Sequence, residues 1–118
     1  MVCLSLEISD ILKKEYNVSC DVIDLRTLSP LDSESMINSV KKTGKVVIIE
    51  EAHKTGGFSG ELTSIIQEEC FDYLDSPIIR ICSEDIPIPY SKDLENSIIP
   101  NVKFAITEII NKLNLKKT

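Results

Sequence analysis

The residues best able to do chemistry lie between Glu50 and Gly60, in the stretch EEAHKTGGFSG. Glu50 and Glu51 leave an apolar run at its carboxyl end, where open α/β sheets place their ligands. To work as an acid/base pair, one carboxylate would need apolar surroundings, which adjacent residues on opposite sides of a strand rarely share. The favoured reading pairs one with a basic neighbour and leaves the other solvated. His53 is the single histidine. No serine or cysteine is fixed beside it in sequence, so a loop-stabilising role is favoured over catalysis. Thr55-Gly56-Gly57-Phe58-Ser59-Gly60 could cradle a phosphate at a helix N-terminus. It has neither GxGxxG spacing nor a GK[ST] ending, so a tight turn admitting close backbone approach is preferred. Asp24, at the end of another apolar run, suggests a phosphoacceptor, but the acidic pair and strand-end lysine that chemistry needs are not evident.

Cys3, Cys20, Cys70 and Cys82 show no CxxC spacing and no histidine cluster. They are expected to be four reduced, mostly buried small hydrophobes rather than metal ligands or disulfides. That usage fits a reducing compartment.

The elements that would position these groups are set by periodicity. The segment Asp21 to Asp32, DVIDLRTLSPLD, reads as strand, polar elbow and helix cap. Val22, Ile23 and Leu25 favour a strand from about Ser19 to Leu25, Pro30 fixes the turn, and Asp32 caps the helix beyond it. Ahead of this segment, Leu4, Ile8, Ile11 and Leu12 recur at helical spacing up to Tyr16-Asn17. After it comes a helix from Ser33 to Thr43, closed by Gly44 with Lys41 and Lys42 in its last turn. Lys45 to Ile49 has no alternation, so a strand covered on both faces is expected. A helix from about Ser59 to Leu74 carries the stripe Leu62, Ile65, Ile66, Cys70 and Tyr73, read as core. Pro77 introduces a third strand, Ile78 to Cys82. The two prolines of Ile86 to Tyr90 exclude a ladder-paired central strand. A short helix near Lys92 to Asn96 is followed by a last one with Pro100 in its first turn. Its apolar face includes Val102, Phe104 or Ala105, Ile106, Ile109, Ile110 and Leu113.

One domain over residues 1–118 is expected from the length, of α/β class with three layers and a mainly parallel sheet. The net charge of −6 argues against a sequence-independent nucleic-acid binder. No apolar run approaches a membrane span, and no signal peptide is evident at the start. Taken alone, the residues give an α/β domain with a polar rim and no complete catalytic constellation.

Four stretches in order, VIDLRTLSPLD, KKTGKVVIIEEAHKTGGFSGEL, QEECFDYLDSPIIRI and DIPIPYSKDLENSIIP, resemble a known family. It is the C-terminal, transketolase-C-like domain of the β subunit of the thiamine-diphosphate-dependent decarboxylating component of 2-oxo acid dehydrogenase complexes. PIPYSKDLE is more similar to the pyruvate members, while KTGGF and QEECF also resemble the branched-chain ones. The resemblance implies a transketolase C-terminal-domain fold that lacks the family's first two strands, one of them central, so that the chain is a fragment of a longer β subunit. Thiamine diphosphate and magnesium belong to the parent enzyme, between the α subunit and a β-subunit N-terminal domain, and no residue here matches a cofactor ligand. The fragment alone is expected to be inactive. Implied partners are the α subunit and a second β subunit, in an α2β2 heterotetramer, and the subunit-binding domain of the acyltransferase core. The positions matching the family's contacts to that domain are Asp75, in Leu74-Asp75-Ser76-Pro77, and the end of the last helix near Leu115. Lys116-Lys117-Thr118 extends past that point and puts the second contact in question. Asp75 also has a plainer reading as a turn-capping aspartate. The implied location is bacterial cytoplasm, mitochondrial matrix or plastid stroma. A different class stays open beside this one: a free-standing binding or signalling module using the Asp24, Glu50 and His53 rim.

Overall fold

A computed structural model of the chain describes residues 1–118. The elements are α1 (Val2–Tyr16), α2 (Ser33–Thr43), β1 (Val47–His53), α3 (Phe58–Cys70) with a 3-10 turn (Phe71–Tyr73), β2 (Ile79–Ser83), α4 (Lys92–Ile98) and α5 (Val102–Leu113). Strands β1 and β2 pair in parallel, Val47 opposite Ile79 and Ile49 opposite Ile81, with a register shift before His53 meets Ser83.

Helix ends obey local chemistry. Asn17 and Gly44 close α1 and α2 in the left-handed region, and each donates its amide back to the last turn. Asp32 caps α2 by accepting from the Ser35 amide at 3.1 Å. Asn101 does the same for α5 through the Phe104 amide at 2.9 Å. Pro100 therefore lies one residue outside that cap rather than in the first turn. Asn101→Ala should cost about 1 kcal/mol in urea-unfolding experiments, since it removes the acceptor that the Phe104 amide uses.

Side chains alternate across the strands onto two cores. Val47, Ile49, Ile79 and Ile81 pack with Ile8 and Leu12 of α1 and Ala105 and Ile109 of α5. Val46, Ile48 and Ile78 face the opposite way, toward Met36, Val40, Leu62, Ile66 and Cys70 of α2 and α3. The result is the expected helix–sheet–helix layering, with the absence of alternation in Val46 to Ile49 explained by a helical layer on each face. Ala105 is fully buried and Phe104 half exposed, which settles the register of the last helix.

Three expectations need correction. Ser19 to Leu25 is extended but not a strand: none of its amides donates to a backbone carbonyl. An isolated segment becomes a strand only with a ladder partner, and a cavity separates this one from β1. Strand β1 also runs on through His53, past the expected end at Ile49. Tyr73 leaves the core stripe and stands half exposed, because α3 ends at Cys70 and tightens into the 3-10 turn. No helix is long and apolar enough to cross a membrane.

Candidate functional site

The rim at the carboxyl ends of β1 and β2 gathers most of the candidate residues. Glu50, partly buried on β1, aims its carboxylate at the start of α3. Its Oε1 accepts from the Phe58 amide at 2.8 Å and its Oε2 from the Ser59 amide at 3.1 Å. Gly57 has to be glycine for that approach: a Cβ there would collide with the His53 carbonyl and lie 2.6 Å from Glu50 Oε2. The helix N-terminus, where a phosphate or diphosphate would sit, thus already holds an internal anion. The glycine loop is a tight turn, as its spacing suggested, and these residues do not fit a diphosphate seat.

Glu50 meets helix amides rather than the basic neighbour expected for one of the pair, while Glu51 is exposed. The nearest guanidinium, that of Arg80, is engaged elsewhere. Its Nε and Nη2 donate to Ser59 Oγ at 3.0 and 2.8 Å, and Nη2 also donates to the Lys54 carbonyl at 2.5 Å. Arg80 therefore braces the loop against α3, a role with no sequence signal beyond its place on an alternating strand.

His53 ends β1 with its Nδ1 2.6 Å from the Glu84 carbonyl, so Nδ1–H donates across to the loop after β2. Beside it, Asp85 accepts from the Thr55 amide at 2.9 Å and the Thr55 hydroxyl at 2.7 Å. These bonds, the amide first, hold the Asp85 carboxyl below the usual range, with help from His53 and Lys54. Linkage gives the sign: a depressed folded-state pKa gives stabilisation that is present above the unfolded value of about 3.9 and is lost as pH falls through the folded value. An NMR titration should therefore place the Asp85 midpoint below about 3.9, with the Thr55 amide losing protection in that same window. A midpoint at or above that value would contradict the clasp.

The remaining candidates lie apart from this rim. Asp24 accepts from the Arg26 amide and faces the Arg26 guanidinium at 3.6 Å, an exposed local turn. Asp75 is exposed on the α2–α3 side, with its amide donating to the Gly44 carbonyl at 2.8 Å. A Cβ on Gly44 would strike the Asp75 carboxylate, so Gly44 fixes where that charge stands. Phe71 and Tyr73, shortly before it in the chain, are both exposed, with Lys41 Nζ 5.2 Å from the Tyr73 ring centroid. Leu115 packs half-buried on the other core, under α1 and α5. Beyond it Lys117 pairs with Glu15 at 3.0 Å, a contact that holds its pKa above the usual lysine value. The two matched positions are thus on opposite helical layers.

Of the cysteines, Cys70 is buried on α3 as expected, but Cys3 and Cys20 are exposed. Cys20 is uncovered because the segment carrying it is not packed into a sheet. The crossing segment and the first turn of α4 supply a feature that composition did not reveal: Ile86, Ile88, Tyr90 and Leu94 all project into solvent.

Comparison with known proteins agrees with this geometry. The family model described as "Transketolase, C-terminal domain" matches residues 1–103. The pyruvate dehydrogenase E1 component β subunit of Rickettsia bellii is 43% identical over 95% of this chain and 34% of its own length. The mitochondrial counterpart from Saccharomyces cerevisiae is 38% identical over 98% of this chain and 32% of its own. A mitochondrial 2-oxoisovalerate dehydrogenase β subunit from Dictyostelium discoideum is 48% identical over 71% of this chain and 23% of its own. The chain therefore spans about a third or less of the length of these relatives. A solved structure described as a split-gene transketolase, an inactive β4 tetramer, superposes with a TM-score of 0.79, covering 98% of this chain and 37% of that one at 23% identity. That last likeness concerns the fold. By the family match and its helix–sheet–helix body, the chain belongs to the transketolase C-terminal domain family.

Proposed function

We propose that the chain serves as the C-terminal domain of the β subunit of a thiamine-diphosphate-dependent 2-oxo acid dehydrogenase, and that its own work is association. The observation that carries this reading is the likeness to pyruvate dehydrogenase β subunits across 95–98% of the chain. The rim supports it from the chemical side, since Glu50, His53, Arg80 and Asp85 all hydrogen-bond to the backbone or to the hydroxyls of Ser59 and Thr55. Carbon–carbon cleavage, with thiamine diphosphate and magnesium, is assigned to the α subunit and the rest of the β subunit. Pyruvate is preferred as substrate. The 2-oxoisovalerate relative keeps a branched-chain 2-oxo acid as the second reading. Mitochondrial matrix or bacterial cytoplasm suits the relatives' names, with plastid stroma as a third setting.

Within that machine two surfaces carry the contacts. The apolar side chains of Ile86, Ile88, Tyr90 and Leu94 suit the α subunit and the second β subunit of a heterotetramer. Asp75, beside Phe71 and Tyr73, suits a basic face on the acyltransferase subunit-binding domain, where opposite charges steer and orient docking. Titration of an acyltransferase subunit-binding domain into the chain at low salt tests the reading. Saturable binding that weakens as salt rises is expected, and its absence would remove the docking role.

A further inference from the structure

The exposed ring of Tyr73 already holds a cation. Lys41 Nζ stands 5.2 Å from its centroid, inside the range over which an aromatic face attracts an ammonium. Neither Lys41 nor Asp75, two residues after the ring, takes part in an ion pair. Leu74, between Tyr73 and Asp75, is extended at φ −79° and ψ 126° and packs its side chain on the α2–α3 core. Residues on either side of an extended one point the opposite way. The Tyr73 ring and the Asp75 carboxylate therefore share one face, both in water, on backbone roughly 7 Å apart.

The end of α2 draws these groups together. A Cβ on Gly44 would strike the Asp75 carboxylate and lie 3.1 Å from the Tyr73 carbonyl, so the segment runs directly against the helix terminus. Lys41 sits three residues before Gly44, on the last turn of α2. A helix carboxyl end carries partial negative charge and favours cations. Ring face, carboxylate and helix end thus all attract positive charge, and the chain places a single ammonium on the ring. An ammonium is a compact point charge that serves either the ring or the carboxylate. A guanidinium is planar, so it can stack on the ring while its N–H edge bonds to the carboxylate.

We propose that Tyr73 and Asp75 form a seat for an arginine side chain of a partner protein, and that Lys41 is a place-holder which the guanidinium displaces. The occupant is an arginine-bearing basic face rather than a lysine-bearing one. Lys41 is exposed, so its ammonium returns to water on displacement and sets the affinity without closing the seat. The proposal rests on the docking reading of Asp75 and deepens it, naming the ring that selects arginine and the residue that competes with it. The two can fail separately, because the seat is probed by short peptides with no acyltransferase present. Arginine selectivity together with no binding of an acyltransferase domain would uphold the seat and remove only that partner.

The probes are tetra-arginine and tetra-lysine, both acetylated and amidated, titrated at low salt into the 118-residue chain. NMR shifts of the Tyr73 ring and of the Gly44 and Asp75 amides are the readout. General attraction to a chain of net charge −6 acts on both probes alike, so the comparison reads geometry. Tetra-arginine should bind at these resonances about fivefold more tightly than tetra-lysine. Tyr73→Phe should keep that preference, while Tyr73→Leu, which stays apolar but loses the ring, should abolish it. The ring is half exposed, so thermal melts of both variants should match that of the original chain. Lys41→Gln should tighten tetra-arginine binding about threefold with the ring present and leave it unchanged in the Tyr73→Leu background. Equal affinities for the two probes, or a preference that survives Tyr73→Leu, would overturn the proposal. So would equal tightening by Lys41→Gln with and without the ring, since that is plain charge repulsion.

Discussion

Glu50→Ala should destabilise the domain by about 3 kcal/mol. Two amides at the start of α3, those of Phe58 and Ser59, lose a shared ionised acceptor in a partly buried position. Hydrogen bonds to charged groups contribute about 1.5–3 kcal/mol each, and donors left without acceptors bear a desolvation cost. The two bonds share one carboxylate, so they are not summed in full. Glu50→Gln separates charge from geometry: its carbonyl oxygen can satisfy one amide, but its NH2 group opposes the other. Its loss should fall between wild type and Glu50→Ala. Urea unfolding followed by circular dichroism measures both. A change under about 0.5 kcal/mol for Glu50→Ala, the size of an ordinary surface substitution, would show that the carboxylate does not hold α3. Catalytic use of Glu50 would give the opposite pattern, lost activity with little lost stability.

Asp75→Ala should leave the fold intact while weakening binding of the acyltransferase subunit-binding domain by about 2 kcal/mol, roughly thirtyfold. The Asp75 amide, not its side chain, bonds to Gly44, so the carboxylate can be removed without cutting a link to α2. Gly44→Ala is the complementary variant. Alanine at φ +74° costs about 1–2 kcal/mol of backbone strain, and its methyl group would strike the Asp75 carboxylate. That variant should lose about 2–4 kcal/mol of stability in total and weaken binding as well, by displacing the charge. Calorimetric titration at two salt concentrations, paired with thermal melts, separates the two effects. Unchanged affinity for Asp75→Ala at low salt would remove this residue from the contact.

The helices and their ends are legible in the sequence because their causes are local. Asp32, Gly44 and Asn17 each act within a turn of where they stand, and apolar spacing on α1, α2 and α3 selects the buried faces correctly. Segment 19–25 departs from expectation for a non-local reason. Val22, Ile23 and Leu25 have strand chemistry, but a ladder needs a neighbour, and a cavity lies between them and β1. Tyr73 departs from its stripe because helical period does not continue beyond Cys70, where the chain tightens toward Pro77. The rim is legible as a place and not as a network. Sequence puts Glu50, His53 and the glycines in one stretch, yet Glu84, Asp85 and Arg80 arrive from β2 and the loop after it, roughly thirty residues on. No spacing rule connects them. The protruding Ile86, Ile88 and Tyr90 are equally invisible, since nothing in an apolar–proline alternation says which side faces water.

The central claim is that this domain associates while the cofactor is held elsewhere, and titration calorimetry of the 118-residue chain with thiamine diphosphate and magnesium addresses it most directly. With the start of α3 filled by the Glu50 carboxylate, no saturable heat is expected at millimolar cofactor. A saturable isotherm of one site per chain would contradict the account.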